Sequence, residues 1–240
     1  MGEFLMTDDD KISENIEEYL EVLYRNGSNK EQVSTTTLSN DLNIAPGSVT
    51  QMLKKLEKLG YINYTPYRGA ALTDEGMKIA QKITRKHRIL EKFLLEVLKV
   101  KEENVHTQAC KMEHTLSDEA ERALCGMLQH PDLCPDENII PACNFDFDSC
   151  QECFSVKDFD NIINRQFNLL SISELNPDTK GIISFIRGSD ELLDAISEIG
   201  IAVGNNMHYY NNDGDEYLVN IEDAEFALPS EMAHNIFIRV

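Results

Sequence analysis

The chain has 240 residues, 42% of them apolar, enough for one large domain or several smaller ones with cores of their own. Its formal charge of −20 would exclude most nucleic-acid binders if it were evenly spread, because phosphate contacts need clustered Lys and Arg. It is not: residues 30–90 hold ten basic and five acidic side chains, a net +5, and the stretches on either side are acidic.

Met1 to Leu5 (MGEFL) precede a second Met6 and read as a vector-derived remnant. No apolar run approaches the ~20 residues of a bilayer crossing. The acidic N-terminus is unlike a signal sequence, so a cytoplasmic protein with no membrane partner is expected.

From Ile12 to Tyr24, Ile16, Tyr19, Leu20 and Leu23 recur at helical spacing. Thr35 or Thr36 then caps a short helix to about Leu42, and Pro46 opens another that ends at Gly60. Two short helices joined by a tight turn make a helix-turn-helix. Tyr61–Thr65 and Ala70–Thr73 follow as the strands of a small wing. One long helix is predicted over Asp74–Val97, with others near Asn104–Glu113 and Ser117–Leu128. Residues 131–153 carry three prolines and four cysteines and read as an irregular excursion, and 154–168 as a connection.

The remainder alternates like a small β-barrel, with strands at Gly181–Ile186, Asn206–Tyr210, Tyr217–Ile221, Glu225–Leu228 and Ile236–Val240. The expected class is α+β: a winged helix-turn-helix over 6–78, a helical dimerisation and metal-binding domain over 79–153, and an SH3-like barrel over 169–240.

On the second helix of the motif, Val49, Met52, Leu53, Leu56 and Leu59 form the apolar stripe. Ser48, Thr50, Gln51, Lys54 and Lys55 lie on the polar face. Gln51 can read an adenine edge, and Ser48 and Thr50 can donate to bases or phosphates. Thr36 and the wing-tip pair Tyr67 and Arg68 add candidate DNA contacts. The competing reading is a solvated helix in a domain that uses this geometry only for packing.

VHTQACKMEH (105–114) concentrates donors. At 100° per residue, His106, Cys110, Glu113 and His114 share about one third of a helix circumference. His87 and Glu91 are four apart on the preceding helix, and Glu18 and Glu21 three apart on the first. Three helices each offering ligands on one side are how helical proteins build metal sites. A Cys–His nucleophile pair is the rival, but no Gly-rich loop offers an oxyanion hole, so no enzyme is expected.

Several segments together resemble the diphtheria toxin repressor family of metal-dependent transcriptional regulators. They are EEYLEVLY (17–24), APGSVTQMLKKLEKLGYI (45–62), LTDEG (72–76), RKHRILEKFL (85–94), VHTQACKMEH and LSDEAE (116–121). KGIISFIRG (180–188), IGIAVGN (199–205) and FALPSEMAHNIFIRV (226–240) are similar to the SH3-like domain of iron-sensing members and ferrous-iron transport accessory proteins.

The resemblance implies a homodimer on pseudo-palindromic double-stranded operator DNA. It also implies a regulatory metal site of Glu18, Cys110, Glu113 and His114, with Glu21 close by, and an ancillary site of His87, Glu91 and His106. Iron sensors place a methionine where this chain has Glu18, and manganese sensors a carboxylate where it has Cys110. Fe(II) suits the mixed donor set, with Mn(II) as alternative and Co(II), Ni(II) or Zn(II) as surrogates. Another reading is an iron-trafficking accessory protein that does not bind DNA. Cys134, Cys143, Cys150 and Cys153 remain, and their spacing suits a structural Zn(II), with an iron–sulfur cluster second and unrelated thiols as the plain alternative.

Overall fold

The apolar stripe of the first segment winds into α1 (Glu14–Asn26), which buries Ile16, Tyr19, Leu20, Val22 and Leu23. The computed structural model describes residues 12–27 and 32–240. The remnant expected at Met1 to Leu5 lies outside the described residues. Two compact units divide between Ile83 and Thr84.

In the first unit, α2 (Thr35–Asp41) is capped by Ser34, whose hydroxyl accepts from the Thr37 amide at 3.1 Å. The cap is therefore one residue before Thr35 and two before Thr36, the positions expected. Serine there satisfies an amide that the helix itself leaves unpaired. The Ser39 hydroxyl donates to the Ile44 carbonyl at 2.6 Å and braces the turn. Pro46 opens α3 (Pro46–Lys58) at a position that needs no amide hydrogen.

Val49, Leu53 and Leu56 of α3 are buried, but Leu59 is 47% exposed. The helix has ended by then, and Leu59, as its C-cap before the left-handed Gly60, leaves the apolar arc. The wing pairs β1 (Ile62–Thr65) with β2 (Gly69–Leu72), and Val33 adds an antiparallel bridge to Ala70.

Gly69 sits at φ +122, and a Cβ there would meet the Val33 carbonyl oxygen at 2.1 Å. Gly69→Ala is expected to destabilise this unit by about 1–3 kcal/mol. Urea unfolding of the full chain would show it, and an unchanged midpoint would mean that the wing does not need this close approach.

The helix expected over Asp74–Val97 is α4 (Asp74–Lys92), finished by one π-helical turn, Phe93–Val97. In the second unit, the later part of α4 packs against α5 (Glu102–Glu113) and α6 (Asp118–Met127). Leu90, Leu94, Val105 and Ala109 fill one core there, and Ile89, Cys125, Cys134 and Ile140 another.

The excursion after α6 contains α7 (Cys150–Ser155), capped by Ser149 and not anticipated from the sequence. The connection over 154–168 is fastened rather than free. Phe145 bridges to Asn164, and the Arg165 guanidinium donates to the Cys143 and Phe147 carbonyls at 2.7 and 3.1 Å.

The C-terminal sheet has six strands: β3 (Leu170–Ser171), β4 (Thr179–Ile186), β5 (Asn206–Asp213), β6 (Glu216–Ile221), β7 (Ala224–Pro229) and β8 (Ile236–Arg239). Their order is β3-β8-β4-β5-β6-β7, with antiparallel neighbours throughout. Two helices interrupt it, α8 (Asp190–Glu198) after β4 and α9 (Ser230–Asn235) before β8. The two-residue turn Gly214-Asp215 joins β5 to β6, with Gly214 at φ +71, one residue later than the Asp213-Gly214 turn that the sequence suggests. Among the described residues no helix is long and apolar enough to cross a membrane.

Candidate metal centre and DNA-facing helix

Helical spacing brings His106 and Cys110 of α5 towards His87 and Glu91 of α4 because the two helices share the Leu90–Val105–Ala109 core. His87 is the hub of the donors. Its Nε2 lies 2.9 Å from Glu91 Oε1 and 3.1 Å from His106 Nδ1, and His106 Nδ1 is itself 3.1 Å from that same Glu91 oxygen. The three atoms form a nearly equilateral triangle. Donors about 2.1 Å from a single ion, at right angles to one another, stand about 3 Å apart. This triangle therefore fits one face of a metal coordination shell.

The other His87 nitrogen, Nδ1, lies 2.5 Å from Glu113 Oε2. The Cys110 thiol is 3.9 Å from that nitrogen and 3.7 Å from His106 Nε2, while His114 Nε2 is 3.4 Å from Glu113 Oε1. The two ligand sets implied by the family resemblance are thus not separate pockets: His87 touches members of both, and Cys110 lies beside His87 and His106.

His87, Glu91 and Glu113 are buried, whereas the His106 side chain is 60% exposed. A rigid floor thus meets a solvent-facing rim through which an ion can arrive. Burial would raise the Glu91 carboxyl, but hydrogen bonds and charge from His87 and His106 outweigh it and hold the group below the usual carboxylate range. A buried, ionised carboxylate among imidazoles is suited to a divalent cation.

Glu18 and Glu21 belong to the first unit, Glu18 exposed on α1 and Glu21 half-buried. Ser48, Gln51, Lys54 and Lys55 are exposed on α3, with Thr50 half-exposed beside them. The Thr50 hydroxyl donates to its own helix at the Pro46 carbonyl, 2.9 Å away. Thr36 is exposed on α2; at the wing tip Tyr67 stands fully in solvent and Arg68 is exposed.

The four cysteines of the excursion do not meet as a set. Cys143, Cys150 and Cys153 line a cavity together with Cys125 of α6, a residue that the sequence pattern had not singled out. Cys134 packs instead among Ile89, Cys125 and Ile140, outside that lining. The signal available beforehand was Cys125 itself, four residues after Glu121 and so on the same buried face of α6.

The chain belongs to the iron-dependent repressor family. Residues 11–70 match its N-terminal DNA-binding domain, residues 73–142 its metal-binding and dimerisation domain, and residues 170–240 a FeoA domain. An uncharacterized HTH-type transcriptional regulator of Methanocaldococcus jannaschii is 47% identical over 109 residues, 45% of this chain and 87% of the relative. The HTH-type transcriptional regulator MntR of Oceanobacillus iheyensis is 36% identical over 102 residues, 42% of this chain and 69% of the relative. The solved structure of the manganese regulator SloR aligns over 95% of this chain and 99% of its own, at 21% identity and a TM-score of 0.49.

Members of this family are transcriptional regulators and not enzymes. The chain is accordingly a metal-dependent, DNA-binding repressor with operator DNA and a second copy of itself as partners.

Proposed function

We propose that this repressor is activated by Fe(II) and controls genes of metal uptake. The observation that carries the choice of metal is the thiol of Cys110 beside the imidazoles of His87 and His106, with the carboxylates of Glu91 and Glu113 on the same hub. Thiolate favours softer ions over Mn(II), carboxylates favour harder ones, and Fe(II) accepts both. Co(II), Ni(II) and Zn(II) serve as surrogates on the same grounds.

The regulatory site comprises Glu18, Cys110, Glu113 and His114, with Glu21 beside it, and the ancillary site comprises His87, Glu91 and His106. Joining Glu18 of the first unit to ligands of the second restricts motion between DNA-binding and dimerisation parts. That restriction favours the spacing that fits successive major grooves of a pseudo-palindromic operator. Ser48, Thr50, Gln51, Lys54 and Lys55 of α3 enter the groove, while Thr36, Tyr67 and Arg68 hold the backbone.

Mn(II) is the second reading, favoured by the MntR relatives and by a carboxylate at Glu18. Anaerobic titration of operator binding with each metal separates the two: half-saturation at lower free Fe(II) than free Mn(II) supports iron, and the reverse order establishes manganese. Gln51→Ala is expected to weaken operator binding by about 1–3 kcal/mol while the metal content stays at the parent value. A variant with parental operator affinity would remove Gln51 from the reading face.

A further inference from the structure

Three consecutive residues of α4, Arg85, Lys86 and His87, are buried, and each reaches across to the end of α5 or the start of α6. Arg85 pairs with Glu121 at 2.6 Å, and His87 Nδ1 lies 2.5 Å from Glu113 Oε2. Between them, the Lys86 ammonium donates to the Leu116 carbonyl at 2.5 Å and pairs with Asp118 Oδ1 at 3.0 Å. As α4 advances from 85 to 87, its contacts step back from 121 through 118 and 116 to 113.

The segment that Lys86 grips carries two of the candidate ligands. Glu113 ends α5 and His114 is its C-cap. The Thr115 and Leu116 amides both turn back to the Met112 carbonyl at 3.1 Å, and Ser117 already caps α6. Leu116 is two residues past His114, so a displacement of its carbonyl passes to the His114 imidazole and the Glu113 carboxylate with little slack.

The energetics say what such a contact is for. A buried ion pair adds little net stability, because desolvation offsets most of the attraction, and ordering a long lysine side chain costs rotamer entropy. Its main effect is to fix a distance. The contact between His87 and Glu113 is made by donor atoms themselves, so it changes as an ion takes their lone pairs. The bonds of Lys86 use no donor of the metal centre and persist. A cation beside such a centre would repel a divalent ion, and Asp118, in the first turn of α6, offsets that charge.

We propose that Lys86 is a positioning residue of the metal centre: its clasp on Leu116 and Asp118 holds Glu113 and His114 at the spacing from His87 that an ion needs. This rests on the reading that Glu113 and His114 are ligands. Lysine suits the task because one ammonium carries three donors and no acceptor, so it serves a carbonyl and a carboxylate together.

Anaerobic Co(II) titration of the full chain, followed by the visible ligand-field bands, provides the test. His114→Ala first identifies the part of the titration that depends on this ligand. For that part, Lys86→Met, which keeps an apolar stem and removes the donors, is expected to raise Kd by about 10–100-fold, the usual cost of losing a group that orients a ligand. The bands of the bound ion should shift as well. Binding that survives His114→Ala, through His87, Glu91 and His106, should stay within about twofold of its value when Lys86→Met is added.

Parental affinity and spectrum in a folded Lys86→Met protein overturn the proposal. Equal weakening of both parts also overturns it and makes Lys86 a packing residue. If Lys86→Met does not fold, Asp118→Asn carries the test. It removes the charge that anchors the ammonium, so the His114-dependent part should weaken, and an unchanged Kd overturns the proposal. Should His114→Ala and Glu113→Gln both titrate like the parent, the ligand reading itself fails and the role of Lys86 falls with it.

Discussion

Cys110→Ala is expected to reduce the metal-induced gain in operator affinity from about 100-fold to below about 5-fold, the span of a typical coupling between two sites. The thiol lies 3.7 and 3.9 Å from the two imidazoles. A methyl group leaves the ion with fewer donors and with no soft one. Affinity in the absence of metal should be unchanged, because the substitution touches neither α3 nor the wing. Fluorescence anisotropy of labelled operator under anaerobic Fe(II) titration measures both limits. A full metal response in this variant would remove Cys110 from the regulatory site and leave the carboxylates and imidazoles to account for activation.

Glu121→Gln should have the largest effect on stability, a loss of about 3–5 kcal/mol, because it leaves Arg85 charged and unpaired in a buried site. The pair is 2.6 Å long with both side chains 4% exposed. The guanidinium donates onward to the Pro141 carbonyl at 2.7 Å and to Cys125, so it cannot swing out to water without breaking both. Burial by itself would lower the Arg85 pKa, but the facing Cys125, Glu121 and Cys143 outweigh it, and the group stays charged. Chemical denaturation of the second unit's transition measures the loss. A double substitution of Glu121 and Arg85 by apolar residues of similar size should recover much of it. A loss under about 1 kcal/mol for Glu121→Gln would show that water reaches the pair.

The elements that organise the DNA-binding unit were legible because their cause is local. Ile16, Tyr19, Leu20 and Leu23 mark one helix face, and Pro46 and Gly60 bracket α3, whatever the rest of the chain does. The hairpin between β5 and β6 was legible for the same reason, to within the one residue by which its turn at Gly214-Asp215 is shifted. Ser34 rather than Thr35 or Thr36 as the cap is an ambiguity of one or two residues that only the amide geometry resolves. Leu59 fell outside the buried stripe because periodicity continues past the end of a helix whose backbone does not.

The candidate metal centre was legible as a set of donors and not as an arrangement. Spacing on α4 and α5 places His87, Glu91, His106 and Cys110 on facing sides. Which imidazole nitrogen meets which carboxylate depends on how the helices pack, and that made His87 the hub. The cysteines show the limit most clearly. C-x8-C-x6-C-x2-C counts positions along the chain, whereas Cys125 enters the cavity from a helix that ends before the excursion begins. Arg187, 62 positions after Cys125, carried no local mark of its burial.

The stitching of the excursion also bears on the order in which this protein can be made. Arg165 reaches back 22 residues to the Cys143 carbonyl and Arg187 reaches back 47 to that of Ile140. A nascent chain emerges N-terminus first, so the winged unit can fold while the cysteine-bearing segment still lacks both of its arginine clasps. Until β4 leaves the ribosome, that segment has thiols and aromatic rings with nothing closed over them. Between the synthesis of Cys125 and that of Arg187, these thiols therefore lack the clasps that hold the segment closed in the finished fold.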